Sequence, residues 1–345
     1  MAHIRFAEIL KDYLDDNNIS NKEFSARIGV TQKHLIDILS GEANLSTSVI
    51  QAISIVTDIP IDYIVKIEEN YRMEQEIDKY LKDNNMTVTQ YLNRFSYKVL
   101  KDNNWINFVH VDDKMTSLMD ILKYLRVPNP DILYKVDKNI FYKSKNDKPE
   151  LLMLWLERCF RLACKQEVGE YNKDNIDVIV KYIIECAKAG KFNEEELVKV
   201  FNENGIQLVI QEDLPGSKIR GAFKVNKDTP SIYLTLKYKR IADIYFALLH
   251  ELAHCKSDFN KAKATSLISF DGEECEDKAD QQALNWMVDD NYYNNIITNN
   301  NLDIEGENKY PKCFVLYRLA LDKHIDYSNE YYQLYNPVMN FNNTK

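Results

Sequence analysis

The chain has 345 residues, 45% apolar and 28% charged, with 22 Tyr and 14 Phe, which excludes a mini-protein or a disordered chain and allows two or three domains with real cores. Its 9 Gly and 8 Pro are about 5% of the residues against a usual level of roughly 12%, excluding turn-rich β-sandwiches and collagen-like chains, so helix is expected to dominate. A net charge of −9 with pI near 5.3 excludes coating nucleic acid by bulk electrostatics and leaves room only for a local DNA contact.

The six cysteines form no CxxC pair, no basic-then-apolar stretch opens the chain, and no run of 18 apolar residues occurs. A cytoplasmic protein with structural thiols and no membrane partner is therefore expected.

In chain order, Phe6, Ile9, Leu10, Tyr13 and Leu14 recur at helical spacing until Asn17 and Asn18 break the helix. Ser20, with Glu23 three residues on, predicts a capping box for a second short helix, and Gly29 the turn after it. Thr31 caps a third helix, which places Leu35, Ile36, Ile38 and Leu39 inward and stops at Ser40 and Gly41; a fourth starts at Ser46 and a fifth follows Pro60.

These five helices over about residues 5 to 66, with SNKEFSARIGVTQKHLIDILSGEANLS and SVIQAISIVTDIPIDYIV in order, resemble the Cro/cI-type (XRE) helix-turn-helix domain. The resemblance implies that Gln32, Lys33 and Asp37 face bases, Gln suiting adenine and Lys guanine, while Thr31 and the loop from Ser40 to Asn44 approach phosphates. Six Lys/Arg against nine Asp/Glu over residues 1 to 66 leave little counterion-release energy, so DNA binding is expected to need a homodimer or a tandem copy.

Such a copy is visible at an offset of 67, where Tyr13, Leu14, Asp16, Asn17, Asn18 and Arg27 reappear as Tyr80, Leu81, Asp83, Asn84, Asn85 and Arg94. Residues 74 to 138 read as a divergent helical domain of the same plan whose middle, KDNNWINFVHVDDK, has lost the glycine turn; KNIFYKSKNDK, 138 to 148, reads as a linker.

Helical periodicity resumes over Pro149 to Gln166, Ile176 to Lys188 and Glu194 to Asn204. Three β-rich runs follow, Ile206 to Ile210, Ile219 to Val225 and Ser231 to Leu236, expected to form a small antiparallel sheet. Then Ile241, Ile244, Leu248 and Leu249 make the apolar stripe of a helix bearing His250, Glu251 and His254 as HExxH. One turn separates the two imidazoles, so both reach a single zinc ion, and Glu251 is placed to take a proton from its water. A third ligand is required. In DGEECEDKADQQALNWMV, Glu276 is the favoured ligand, with Glu273 and Glu274 as competitors, and Asp280 is placed to accept a hydrogen bond from a ligating imidazole. Cys255 is a packing residue or a fourth, site-closing ligand.

LPGSKIRGAFKV, SIYLTLKYKR, HELAH, EDKAD and the tail YPKCFVLYRLALDKHIDYS resemble an ImmA/IrrE-type zinc metallopeptidase domain. Lys256, Ser257 and Asp258 stand where the family often has a further histidine, and Gln281 and Gln282 where an aromatic-containing step is usual. The resemblance implies cleavage of a DNA-bound, repressor-like protein, or alternatively a non-hydrolytic transcription regulator or antitoxin built on the same scaffold.

The expected architecture is mainly α with a small antiparallel sheet (α+β): a helix-turn-helix domain at 1–70, a divergent helical domain and linker at 71–148, and a zincin-like metallopeptidase domain at 149–345. The strand Ser231 to Leu236 is expected to be the edge on which a substrate chain pairs, with Tyr233, Tyr238 or Tyr245 as oxyanion donor.

Overall fold

A computed structural model of the chain describes residues 4–108, 110, 112–136, 149–217, 219–265, 272–299 and 309–339. They belong to two compact units, Met1–Val136 and Asp137–Lys345. The expected linker at 138–148 lies outside the described residues. Among the described residues no helix is long and apolar enough to cross a membrane.

The first unit runs α1 (Phe6–Asp16), α2 (Asn21–Arg27), α3 (Gln32–Ser40), α4 (Thr47–Thr57), α5 (Ile61–Asp83), α6 (Val88–Arg94), α7 (Tyr97–Asp102), α8 (Lys114–Tyr124) and α9 (Pro130–Val136). Side-chain caps start α2, α3 and α4: Ser20, Thr31 and Ser46 accept from the backbone N–H groups of Glu23, His34 and Val49 at 3.2, 3.1 and 3.4 Å. Each such cap contributes about 1 kcal/mol. The Glu23 carboxylate pairs with Arg27 at 2.6 Å, a partner one turn along the exposed face. Gly41 closes α3 at φ 92°, a left-handed conformation that glycine adopts without strain.

Phe6, Leu10, Leu14, Phe24, Leu35, Ile38, Val49, Ile53 and Ile64 form the core of the first bundle. Arg5 gives α1 no side-chain cap. The buried Glu68 of α5 reaches across instead and accepts from the Phe6 N–H at 3.2 Å, supplying an acceptor to an otherwise orphaned helix-start donor.

The boundary expected after residue 70 falls inside α5, one continuous 23-residue helix. The 67-residue offset carries through to the elements, since α6 and α8 start and stop 67 residues after α2 and α4. Asn17 and Asn84 both donate a side-chain N–H to a carbonyl four residues back, at 2.8 and 2.9 Å, and Asn18 and Asn85 share φ near 52° and 51°. The pattern breaks at α7, which has six residues against nine in α3. Ser96, at φ 49°, makes the turn immediately before it.

The second unit runs α10 (Pro149–Ala163), a 3-10 turn (Lys173–Asn175), α11 (Ile176–Lys188), α12 (Glu194–Glu203), β1 (Gln207–Ile210), β2 (Gly221–Asn226), β3 (Thr229–Leu234), α13 (Ile241–Thr265), α14 (Gly272–Met287), α15 (Asp290–Asn299), α16 (Lys312–Leu321) and α17 (Glu330–Tyr335). Its sheet is mixed, not antiparallel as expected. The strand order is β1-β3-β2, with β1 parallel to β3 and β2 antiparallel to it. The cause lies in β3, whose Pro230 to Leu234 are all buried, a run that belongs at the centre of a sheet covered on both faces. β3 is therefore not the edge strand that its sequence suggested. Gln166 covers the outer side of β1 by donating to the Leu208 carbonyl at 2.6 Å and accepting from its N–H at 3.2 Å, a device that blunts an edge. β2 has a strand neighbour on one side only among the described residues.

The sheet, α11, α12, α14 and α16 enclose the apolar side of α13 through Ile179, Ile183, Phe201, Phe223, Ile232, Leu248, Leu252, Met287 and Phe314. A helix this deeply embedded holds its functional side chains rigidly.

Candidate metal centre

His250 and His254 sit one turn apart on α13, and α14 brings Glu276 against both. The His250 Nε2 to His254 Nε2 distance is 3.2 Å, His250 Nε2 to Glu276 Oε2 is 3.2 Å, and His254 Nε2 to Glu276 Oε1 is 3.4 Å. Tetrahedral zinc, with bonds of about 2.0 to 2.2 Å, spaces its ligand atoms by about 3.3 Å. The two Nε2 atoms stand at that spacing, and Glu276 turns one oxygen to each ring, so two imidazoles and one carboxylate converge as the ligands of a single such ion would.

The other ring nitrogens reinforce the fit. His250 Nδ1 donates to Asp280 Oδ1 at 2.7 Å, and His254 Nδ1 donates to Asp258 Oδ2 at 2.9 Å. A carboxylate at each Nδ1 makes that nitrogen the proton carrier and leaves each Nε2 with a lone pair. Two lone pairs and a carboxylate converging on one point need a cation or a proton between them.

With no cation there, the same surroundings favour a proton on the imidazoles. Burial works against charging His250, yet hydrogen bonds to Asp280 and Glu276 push its pKa up to about 10. Burial likewise opposes the charge on Glu276, and the two imidazoles hold it down at about 2.

Glu251 is buried, and β2 shapes its surroundings. A Cβ added to Gly221 would lie 2.6 Å from Glu251 Oε1 and 2.8 Å from its Cγ, so the backbone of β2 approaches the carboxylate as only glycine allows.

Of the expected site residues, His250, His254, Glu276 and Asp280 come together, with Glu251 beside His250 in sequence. Glu274 turns away to Lys278 at 2.8 Å, and the side chain of Glu273 lies outside the described residues. Cys255 packs against Tyr171, its Sγ 3.6 Å from that hydroxyl, and burial pushes its thiol up to about 12; it stays protonated and is not grouped with the His250, His254 and Glu276 donors. Tyr245 donates its hydroxyl to the Lys191 carbonyl at 2.6 Å, Tyr233 has Asn226 as its hydroxyl partner at 3.5 Å, and Tyr238 lies under the Arg220 guanidinium at 4.4 Å. None of these contacts assigns an oxyanion donor.

Sequence reading passed over Asp258, taking it only as the absence of a histidine. Its position four residues after His254 was the available signal, because i and i+4 share a helix face.

In the first unit Thr31, Gln32 and Lys33 are exposed at the start of α3 and Asp37 is half-buried. The Thr31 hydroxyl oxygen accepts the cap hydrogen bond from the His34 N–H.

Comparison with known proteins matches residues 10–64 to the helix-turn-helix family model. This part of the chain is a helix-turn-helix module of the DNA-binding kind found in transcription regulators. No curated protein and no solved structure matches the chain.

Proposed function

We propose that the second unit is a zinc-dependent endopeptidase, as its resemblance to ImmA/IrrE-type domains implies, and that the helix-turn-helix module brings it to a repressor-like protein that it cleaves. The observation that carries this reading is the convergence of the His250 and His254 Nε2 atoms, 3.2 Å apart, on the Glu276 carboxylate, whose two oxygens lie 3.2 and 3.4 Å from them.

Zinc held by these three side chains would supply a Lewis acid for the scissile carbonyl and lower the pKa of a water to about 7. Glu251 takes the proton of the attacking water and passes it to the leaving amine, so the amide is hydrolysed without a covalent enzyme intermediate. Asp280 keeps the His250 ring in the tautomer whose Nε2 faces the site. An extended substrate segment pairs with the outer side of β2, next to the Gly221 backbone that touches Glu251. On DNA of twofold symmetry two copies of the chain would bind as a homodimer.

Glu251→Gln tests this reading against the non-hydrolytic alternative. We expect the variant to retain zinc while cleavage of a co-expressed repressor falls by about 10²- to 10⁴-fold. Unchanged regulatory output with the variant would favour a regulator that needs no hydrolysis.

A further inference from the structure

Asp258 lies one turn beyond His254 on α13, mostly buried, with 18% of its side chain exposed. One of its oxygens, Oδ2, accepts two hydrogen bonds: from His254 Nδ1 at 2.9 Å and from the Cys275 thiol at 3.2 Å. Cys275 belongs to α14 and immediately precedes Glu276. A single carboxylate oxygen is thus bonded both to one imidazole of the donor triangle and to the residue next to its carboxylate member.

We propose that Asp258 is a positioning residue that sets the orientation of the His254 ring and, through the Cys275 thiol, the distance at which α14 presents Glu276. The proposal rests on the metal-centre reading above. Asp280 does not duplicate this function. It braces the other ring, His250, from α14, and half of its side chain is exposed. Asp258 stabilises the Nδ1–H form of His254 and increases the donor strength of its Nε2. The thiol bond adds a second restraint between the two ligand-bearing helices, at the His254 end, beside the Asp280 bond at His250.

The test is chelator-competition titration of zinc into the stripped full-length protein, with the visible absorption of the cobalt-loaded protein as a second readout of ligand geometry. His254→Ala should abolish binding. Asp258→Asn, which keeps the shape, and Asp258→Ala should each weaken zinc by about 10- to 100-fold, the usual effect of losing an outer partner of a ligating histidine. Both should alter the cobalt spectrum. Cys275→Ser, which keeps a donor, should match the wild type, whereas Cys275→Ala should fall between wild type and Asp258→Ala. Should Asp258→Ala fail to fold, Asp258→Asn and the two Cys275 variants decide the matter. Wild-type affinity and an unchanged cobalt spectrum in the Asp258 variants would overturn the positioning role while leaving the metal centre intact. A wild-type protein that binds no zinc would overturn the metal centre and this inference with it.

Discussion

Gly221 and Glu251 compete for the same space, so the smallest side chain that could be added to β2 would move the proposed general base. Gly221→Ala places a carbon 2.6 Å from Oε1, and the Glu251 carboxylate must shift. We expect kcat to fall at least tenfold with zinc content unchanged, measured by cleavage assay and metal analysis; wild-type turnover would show that the carboxylate adapts. A second expectation follows from protons. With the His250 pKa at about 10 in the metal-free protein, zinc must displace a proton across the neutral range, so its affinity should rise about tenfold per pH unit between roughly pH 6 and 8. The same shift means that His250 stabilises the metal-free fold fully below its ordinary value of 6.5 and progressively less as pH rises through about 10. Glu276 contributes above its ordinary 4.5, and that contribution is lost as pH falls toward about 2. The histidine pair was legible because ligands one turn apart need only a helix. Asp280 and Glu276 were legible because a carboxylate pair four apart on the next helix can face it. Gly221 was not, since close approach between a strand and a helix leaves no mark in spacing.

The caps made most of the first five helices readable, because Ser20, Thr31, Ser46 and Gly41 act locally. The same cannot be said of the sheet. β1, β2 and β3 were visible as apolar runs, but their order depends on which run is buried on both faces, a property of the tertiary arrangement. The length of α5 was hidden for a similar reason. Its polar middle, from Lys66 to Arg72, shows little periodicity, yet it is held on one side by Glu68. Glu68→Ala removes the acceptor of the buried Phe6 N–H, so α1 should lose about 1 to 3 kcal/mol of protection. Hydrogen exchange of the full-length protein reads this as roughly tenfold or faster exchange of the first-turn amides of α1. Unchanged protection there would mean that the bond contributes nothing.

The chain joins a helix-turn-helix module to a unit whose donor triangle suits zinc, while its charge restricts how the first can act. With so few cations over residues 1 to 66, DNA affinity should decline only gently with salt, with a log–log slope of about −2 to −3 per module. Lys33→Ala should make it shallower still, as measured by binding at several salt concentrations. A slope near −10 would place the phosphate contacts elsewhere in the molecule. The 67-residue spacing from α2 and α4 to α6 and α8 was legible through Asn84, Asn85 and Arg94, whereas the shortening of α7 was only half visible, as a missing glycine. The central claim is that His250, His254 and Glu276 hold one divalent ion, and elemental analysis of the purified chain tests it most directly: zinc should accompany the wild type in equimolar amount and be lost from Glu276→Ala, whereas a metal-free wild type, or a variant that retains its zinc, would contradict it.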